Sequence, residues 1–450
     1  MNIYTLFSKQ CGLRSLVLVL LISFSLSACD SLDVTDPNAP NPNDVTLQSL
    51  VSGIEGGMRA DLFVYLVASG TLAREVYNFD PADPRWVDEL FVGPLDGGGF
   101  IVLRPWSSRY RVIRNTVTLQ ERLQSDLSGS QQSAASGFAK TIIGYQLLLN
   151  LNYMGDNGIK IQFSEDINTP FVSTAEAYNE IERYLDEGFS ELQNGGASFP
   201  FTLSGGYAGF DTPSTFAQFN RAIRARVAIY QNDYNGALSA LGGSFLSENG
   251  DMNTGTYHVY STGAGDRLHP LFEVPTAPSV KLRAHPMFKD QAEASDQRYT
   301  SKILDRTGDG FDPAPAAGNG LSSALVATVA SSSVSPLPII RNEELLLIRA
   351  EANIGLGSLG PAEADINRVR AAAGLGAVTL TAGNALDQLL HERMYSLFLE
   401  GHRWVDLRRH NRLDQLPRET VGLVTPQEGT IFSQFPRPLD EVPETGGGGN

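Results

Sequence analysis

Cysteine is nearly missing from this chain, whose 450 residues include only Cys11 and Cys29. A disulfide framework is thereby excluded, as is a zinc site built from clustered thiolates. Tryptophan is as scarce, with Trp86, Trp106 and Trp404 making up the whole set. Basic charge is also short: 34 Lys and Arg face 50 Asp and Glu, a formal net charge of −16. That balance excludes electrostatic capture of nucleic acid and a polybasic grip on a membrane. The apolar run Leu16 to Leu26 is too short to span a bilayer. HExxH is absent, and GxSxG does not occur between a strand and a helix, which removes the simplest zinc and serine hydrolase readings. Asp305 to Asp312 is acidic but has Thr307, Pro313 and Ala316 where a calcium loop needs oxygen donors. No metal or other cofactor is expected. A glycosidase needs only two carboxylates set by the fold, so that alternative stays open.

What the chain does have is apolar content: 42% of residues are hydrophobic, enough for a large core. Lys9 and Arg14 precede Leu16 to Leu26, and the run ends in Leu26-Ser27-Ala28-Cys29. Residues 1–28 are therefore expected to be a lipoprotein-type signal peptide, with Cys29 lipidated through its sulfur after cleavage. The mature chain would then contain no second cysteine, so its core must hold it together unaided. Residues 29–45, rich in Pro, Asn and Asp, are expected to be a tether. Residues 46–445 are read as a single domain and 446–450 as a disordered tail.

Apolar residues three and four apart predict helices over Thr46 to Ser69, Trp106 to Leu127 and Gln131 to Asn152. A further helix over Ala177 to Leu192 is preceded by Ser173 and Glu176 at capping-box spacing. Ser214 is expected to cap Thr215 to Gln231, which turns at Asn232-Asp233 into Tyr234 to Leu241. A similar pair is expected over Glu343 to Gly355 and Pro361 to Ala373, with small residues permitting close approach. Both pairs are similar to tetratricopeptide hairpins. The fold class is mainly α: helical hairpins in an α-α superhelix, with an irregular, loop-rich lobe near 250–338 that contains a few short strands such as Tyr257 to Tyr260.

Two irregular stretches are candidate binding edges. The first, Tyr77 to Gly99, is a long loop carrying Tyr77, Asn78, Phe79 and Trp86; the second contains Tyr207, Phe210 and Asp211. Long loops with aromatic rings beside planar polar groups suit sugar recognition, because a ring stacks on the C–H face of a pyranose while the polar groups bind hydroxyls. Packing of the same rings into the core is the competing expectation. Ligand contacts are assigned to Trp86, Tyr77, Asn78 and Tyr207, and no catalytic residue is assigned.

The segment Leu389 to Leu413 combines a helical apolar face with Glu392, Arg393, Glu400, Arg403, Asp406, Arg408 and Arg409 around Gly401, His402 and Trp404. Such alternation predicts a buried ionic network at a helix corner. The run ER-x-x-x-L-x-x-EGHRW-x-DLRR, Glu392 to Arg409, resembles the C-terminal signature of the SusD/RagB family of outer-membrane nutrient-binding lipoproteins. Arg341 to Ala352 resembles a second family motif, and Ser295 to Ile303 resembles the short strand before it. The resemblance implies a surface-exposed, lipid-anchored outer-membrane protein that binds an oligosaccharide or a peptide. It further implies delivery of that nutrient to a partner TonB-dependent transporter of the SusC type, with no bond broken. The alternatives are an envelope scaffold that binds a protein through its hairpins and a lipid-anchored glycan hydrolase.

Overall fold

The computed structural model describes residues 45–163 and 169–441. The expected signal segment, Cys29, the tether up to residue 44 and the tail at 446–450 lie outside these. By its contacts the chain divides into Met1–Thr46 and Leu47–Asn450, and the account below concerns the second unit.

The first expected helix is two helices, α1 (Leu47–Met58) and α2 (Leu62–Leu72). Apolar spacing runs through both, but Asp61 takes a left-handed φ of 53° between them, and its carboxylate binds Arg104 at 2.6 Å. A fixed charge partner on another helix overrides the local pattern there. Strand β1 (Val76–Asn78) follows, then the aromatic loop. The long helices α3 (Phe100–Asp126), α4 (Gly129–Met154) and α5 (Thr174–Gln193) pack in succession. The start of α5 is as its sequence predicts: Ser173 Oγ accepts from Glu176 N at 3.3 Å, and Glu176 Oε2 accepts from Ser173 N at 3.0 Å. In α6 (Pro213–Tyr230) the cap is Thr212, two residues before the expected Ser214, because its hydroxyl accepts from Thr215 N at 3.2 Å with Pro213 in the first turn. Helix α7 (Tyr234–Gly242) completes the hairpin.

Beyond it the chain is irregular, as expected for the lobe. β2 (Gly255–His258) and β3 (Leu282–Ala284) are followed by α8 (Gln297–Lys302). Ser295 to Ile303 is thus mostly helical where a strand was expected, since Asp296 caps it by accepting from Arg298 N at 2.8 Å. Extended structure begins only at β4 (Ile303–Asp305). With β5 (Leu325–Ala327), β1, β3 and β4 form a four-stranded antiparallel sheet in the order β1-β3-β5-β4. β6 (Leu337–Arg341) pairs instead with β2, and a register shift falls between Thr256 and Tyr257.

The second hairpin, α9 (Asn342–Gly355) and α10 (Leu359–Ala372), packs against α7 through Gly355. A Cβ there would sit 2.3 Å from the Tyr234 ring, so only glycine admits the contact. Helices α11 (Ala385–Ser396) and α12 (Arg403–Arg409) form the predicted corner, turned by Leu399 (φ 58°) and Gly401 (φ 83°). A small hairpin of β7 (Thr420–Val421) and β8 (Gln427–Glu428) precedes the terminal segment.

The expected ionic network is present and buried. Arg393 Nε donates to Asp406 at 2.7 Å, Arg409 binds both Asp406, at 2.8 Å, and Glu351, and Arg298 and Arg370 grip Glu392 at 2.6 and 2.7 Å. Burial drives the Asp406 carboxyl up, but Arg393 and Arg409 outweigh it and hold it well below the usual range. Trp106 and Trp404 are core residues.

Candidate functional site

The β2–β6 ribbon separates two cavities, and the half-buried Tyr257 lines both. Alternation along β2 explains this: Tyr257 faces outward while Thr256 and His258 turn into the protein.

The larger cavity, about 760 Å³, lies between the ribbon, α8, the end of α10 and the α11–α12 turn. Its size suits an oligosaccharide-sized or drug-sized ligand. Charged groups form its floor. Lys302 Nζ donates to Tyr395 O at 2.8 Å and Ser396 O at 2.6 Å, and burial beside Arg341 pushes the amine down. Arg341 binds Glu343 at 2.9 Å and also Glu400. Burial raises the Glu400 carboxyl; it acts the same way on Glu343, but there Arg341 and Lys302 prevail and the net shift is downward. The walls include Tyr257, Leu337 and Pro338, and Arg368, whose guanidinium donates to Glu248 O at 2.9 Å and Gly250 O at 3.1 Å. Fixed polar groups beside an aromatic ring can orient and stack a polyhydroxylated ligand. Glu343 and Glu400 have shifts of opposite sign, the pattern of an acid and base pair, but both face Arg341 and are ion-paired with it.

The smaller cavity, about 340 Å³, lies between α1, the loop 202–207 and the segment 257–266. Gln48 pins the loop by accepting from Thr202 N at 2.8 Å and donating to Thr202 O at 3.0 Å. Arg59 Nη1 closes one side, donating to Val259 O and Asp266 Oδ1, both at 2.6 Å. Gly206 presses on the ribbon so closely that a Cβ would lie 2.0 Å from Tyr257 O.

The four residues assigned to ligand contact are all buried. Trp86 is 3% exposed, held edge-on by Phe63 at 5.7 Å and Phe100 at 5.5 Å. Asp83 accepts from Arg85 N at 3.2 Å and starts a short turn that carries the indole inward while Arg85 stays exposed. Tyr77 stacks on Phe79 at 5.3 Å, with Phe91 and His285 beside it. Asn78 is buried in β1 with neither side-chain polar atom partnered. Tyr207 packs on Phe216 and Phe219 yet lines the smaller cavity. The expected exposure of these rings is therefore corrected: a large ring gains more from core contact than from water, and the loop folds under itself. Tyr257, Arg368 and His258 were not singled out from the sequence. The alternation Tyr257-His258-Val259-Tyr260 was the available signal, but it did not say which face would border a cavity. Among the described residues no group of His, Cys, Asp and Glu is placed to hold a metal ion.

Residues 327–434 match the model of the SusD family. No curated protein matches the chain. Among solved structures, a SusD superfamily protein from Bacteroides vulgatus is 16% identical, with 83% of this chain and 89% of that one covered and a TM-score of 0.62. A laminarin binding SusD-like protein is also 16% identical, with 88% and 96% covered and a TM-score of 0.61. Surface glycan-binding protein A from Bacteroides uniformis is 15% identical, with 81% and 88% covered and a TM-score of 0.63. At these identities the structures share the fold, and the sequence match itself is confined to the C-terminal region.

Proposed function

We propose that this chain, SusD-like in its C-terminal sequence and in its fold, is a glycan-binding protein of the outer membrane, anchored through Cys29. It captures an oligosaccharide at the cell surface and passes it to a TonB-dependent transporter. The observation that carries the reading is the 760 Å³ cavity beside Tyr257, because much of its lining, including Leu337, Arg341, Arg368 and Glu400, falls within the segment that matches the family. Structural neighbours described as laminarin binding and surface glycan-binding support the ligand class. Tyr257 supplies the stacking ring, and Trp86, Tyr77 and Asn78 support their loop from beneath.

The mechanism is capture and release. Lys302, Arg341, Glu343 and Glu400 hold one another in fixed positions, which pre-orders the floor before a ligand arrives. A glycan and peptide array on the soluble form lacking Cys29, with product analysis of each hit, tests this reading. Binding without turnover supports it; cleavage abolished by Glu400→Gln would make the protein a hydrolase instead.

A further inference from the structure

The smaller cavity is lined by a tyrosine whose hydroxyl the fold itself leaves without a partner. His258 is 5% exposed and lines the cavity. Burial, with Arg109 and Arg59 nearby, pushes its imidazole down to about 3, so the ring is neutral and offers one donor and one acceptor. Tyr207 is 2% exposed, and its hydroxyl has no partner among the described residues. Burial beside Glu55 keeps that phenol protonated and able to donate. The charged groups, in contrast, are occupied: Arg59 binds Asp266, and Glu55 accepts from Ser204 N and Oγ, both at 3.1 Å. Met58, Leu203 and Val259 add apolar surface.

A buried hydroxyl without a partner costs stability. One such hydroxyl, with a neutral imidazole on the same cavity of ligand size, points to an occupant that completes it. Groups that both donate and accept match sugar hydroxyls, which do the same, while apolar patches meet the C–H face. Two carboxylates against one guanidinium disfavour an anion.

We propose that the smaller cavity is a second carbohydrate subsite, taking the uncharged, hydroxyl-rich end unit of a glycan chain through His258 and Tyr207. The ribbon would then present one chain to both sides, since Tyr257 borders each cavity. This inference rests on the glycan-binding reading above and can fail separately from it.

Saturation-transfer NMR with methyl β-D-glucopyranoside and its uronate counterpart on the full mature chain tests the proposal. Gly56→Leu fills the smaller cavity from a half-buried helical position, where a Cβ meets nothing closer than 3.9 Å. Tyr207→Phe removes only the hydroxyl, and Ala372→Trp fills the larger cavity, which Ala372 lines. The expected result is transfer to the neutral sugar that persists in Ala372→Trp and falls at least fivefold when Gly56→Leu or Tyr207→Phe is added, with thermal unfolding showing both variants folded. Transfer unchanged by Gly56→Leu and Tyr207→Phe, but abolished by Ala372→Trp, would overturn the second subsite and leave the first. A uronate signal equal to or above that of the neutral sugar would overturn the charge argument. No transfer to wild type would overturn both readings.

Discussion

The corner formed by α11 and α12 and the β2–β6 ribbon are both buried and both polar, yet they treat their polar groups in opposite ways. At the corner nearly every charge is gripped: Arg393 and Arg409 share Asp406, and Arg298 and Arg370 share Glu392. Beside the ribbon the buried Tyr207 hydroxyl has no partner among the described residues, and His258 borders the same cavity. In a low-dielectric interior a fully satisfied network fixes geometry, whereas an unsatisfied one leaves a demand that a ligand can meet. The corner holds the shape; the ribbon is left open for recognition.

The sharpest way to break this contrast is at Asp406. Asp406→Ala strands the buried Arg393 guanidinium and takes one of two carboxylate partners from Arg409, and is expected to cost about 3–5 kcal/mol in urea unfolding. A loss below 1 kcal/mol would mean that the network is incidental. The aromatic loop is expected to behave like the corner: Trp86→Ala should destabilise by about 3 kcal/mol through its cavity, with glycan affinity per folded molecule unchanged. Lost affinity in a fully folded variant would return Trp86 to the ligand.

Two carboxyls near the corner sharpen the comparison through pH. Burial pushes Glu75 up to about 8, with Arg403 and the Leu399 amide opposing. Its contribution is fully present below the ordinary 4.5 and is lost as pH rises towards 8, at up to about 1.4 kcal/mol per pH unit. Glu75→Gln should flatten that limb between pH 5 and 8. Burial also acts to raise Glu351, but Arg409 and His410 prevail and hold it at about 2, so its contribution is lost instead as pH falls below 4.5. A smaller effect is expected at the ribbon: Tyr257→Ala should weaken glycan binding roughly tenfold, about 1.4 kcal/mol, with little change in stability. Smallest of all, Arg183→Ala removes exposed pairs to Glu180 and Glu187 and should shift unfolding by less than about 1 kcal/mol.

Much of the scaffold was legible because helices advertise themselves locally. The Ser173–Glu176 cap, the Asn232-Asp233 turn and the helix at Asn342–Gly355 follow from spacing and capping chemistry alone. One misreading occurred where a distant partner prevailed, as Asp61 turns between α1 and α2 beside Arg104; the other was local, as Asp296 caps a helix two residues on where a strand was expected.

The sequence by itself determined the helical hairpins, the charge-rich corner and the absence of a disulfide framework, since each depends on residue types at short, fixed separations. Only the tertiary structure decided which polar residues remain unpartnered and which rings remain accessible. Trp86 and Tyr257 are both aromatic residues outside the α-helices, but Phe63 and Phe100 close over one while the strand alternation leaves the other between two cavities. Accessibility is settled by what packs against a side chain from remote segments, and no local pattern encodes that.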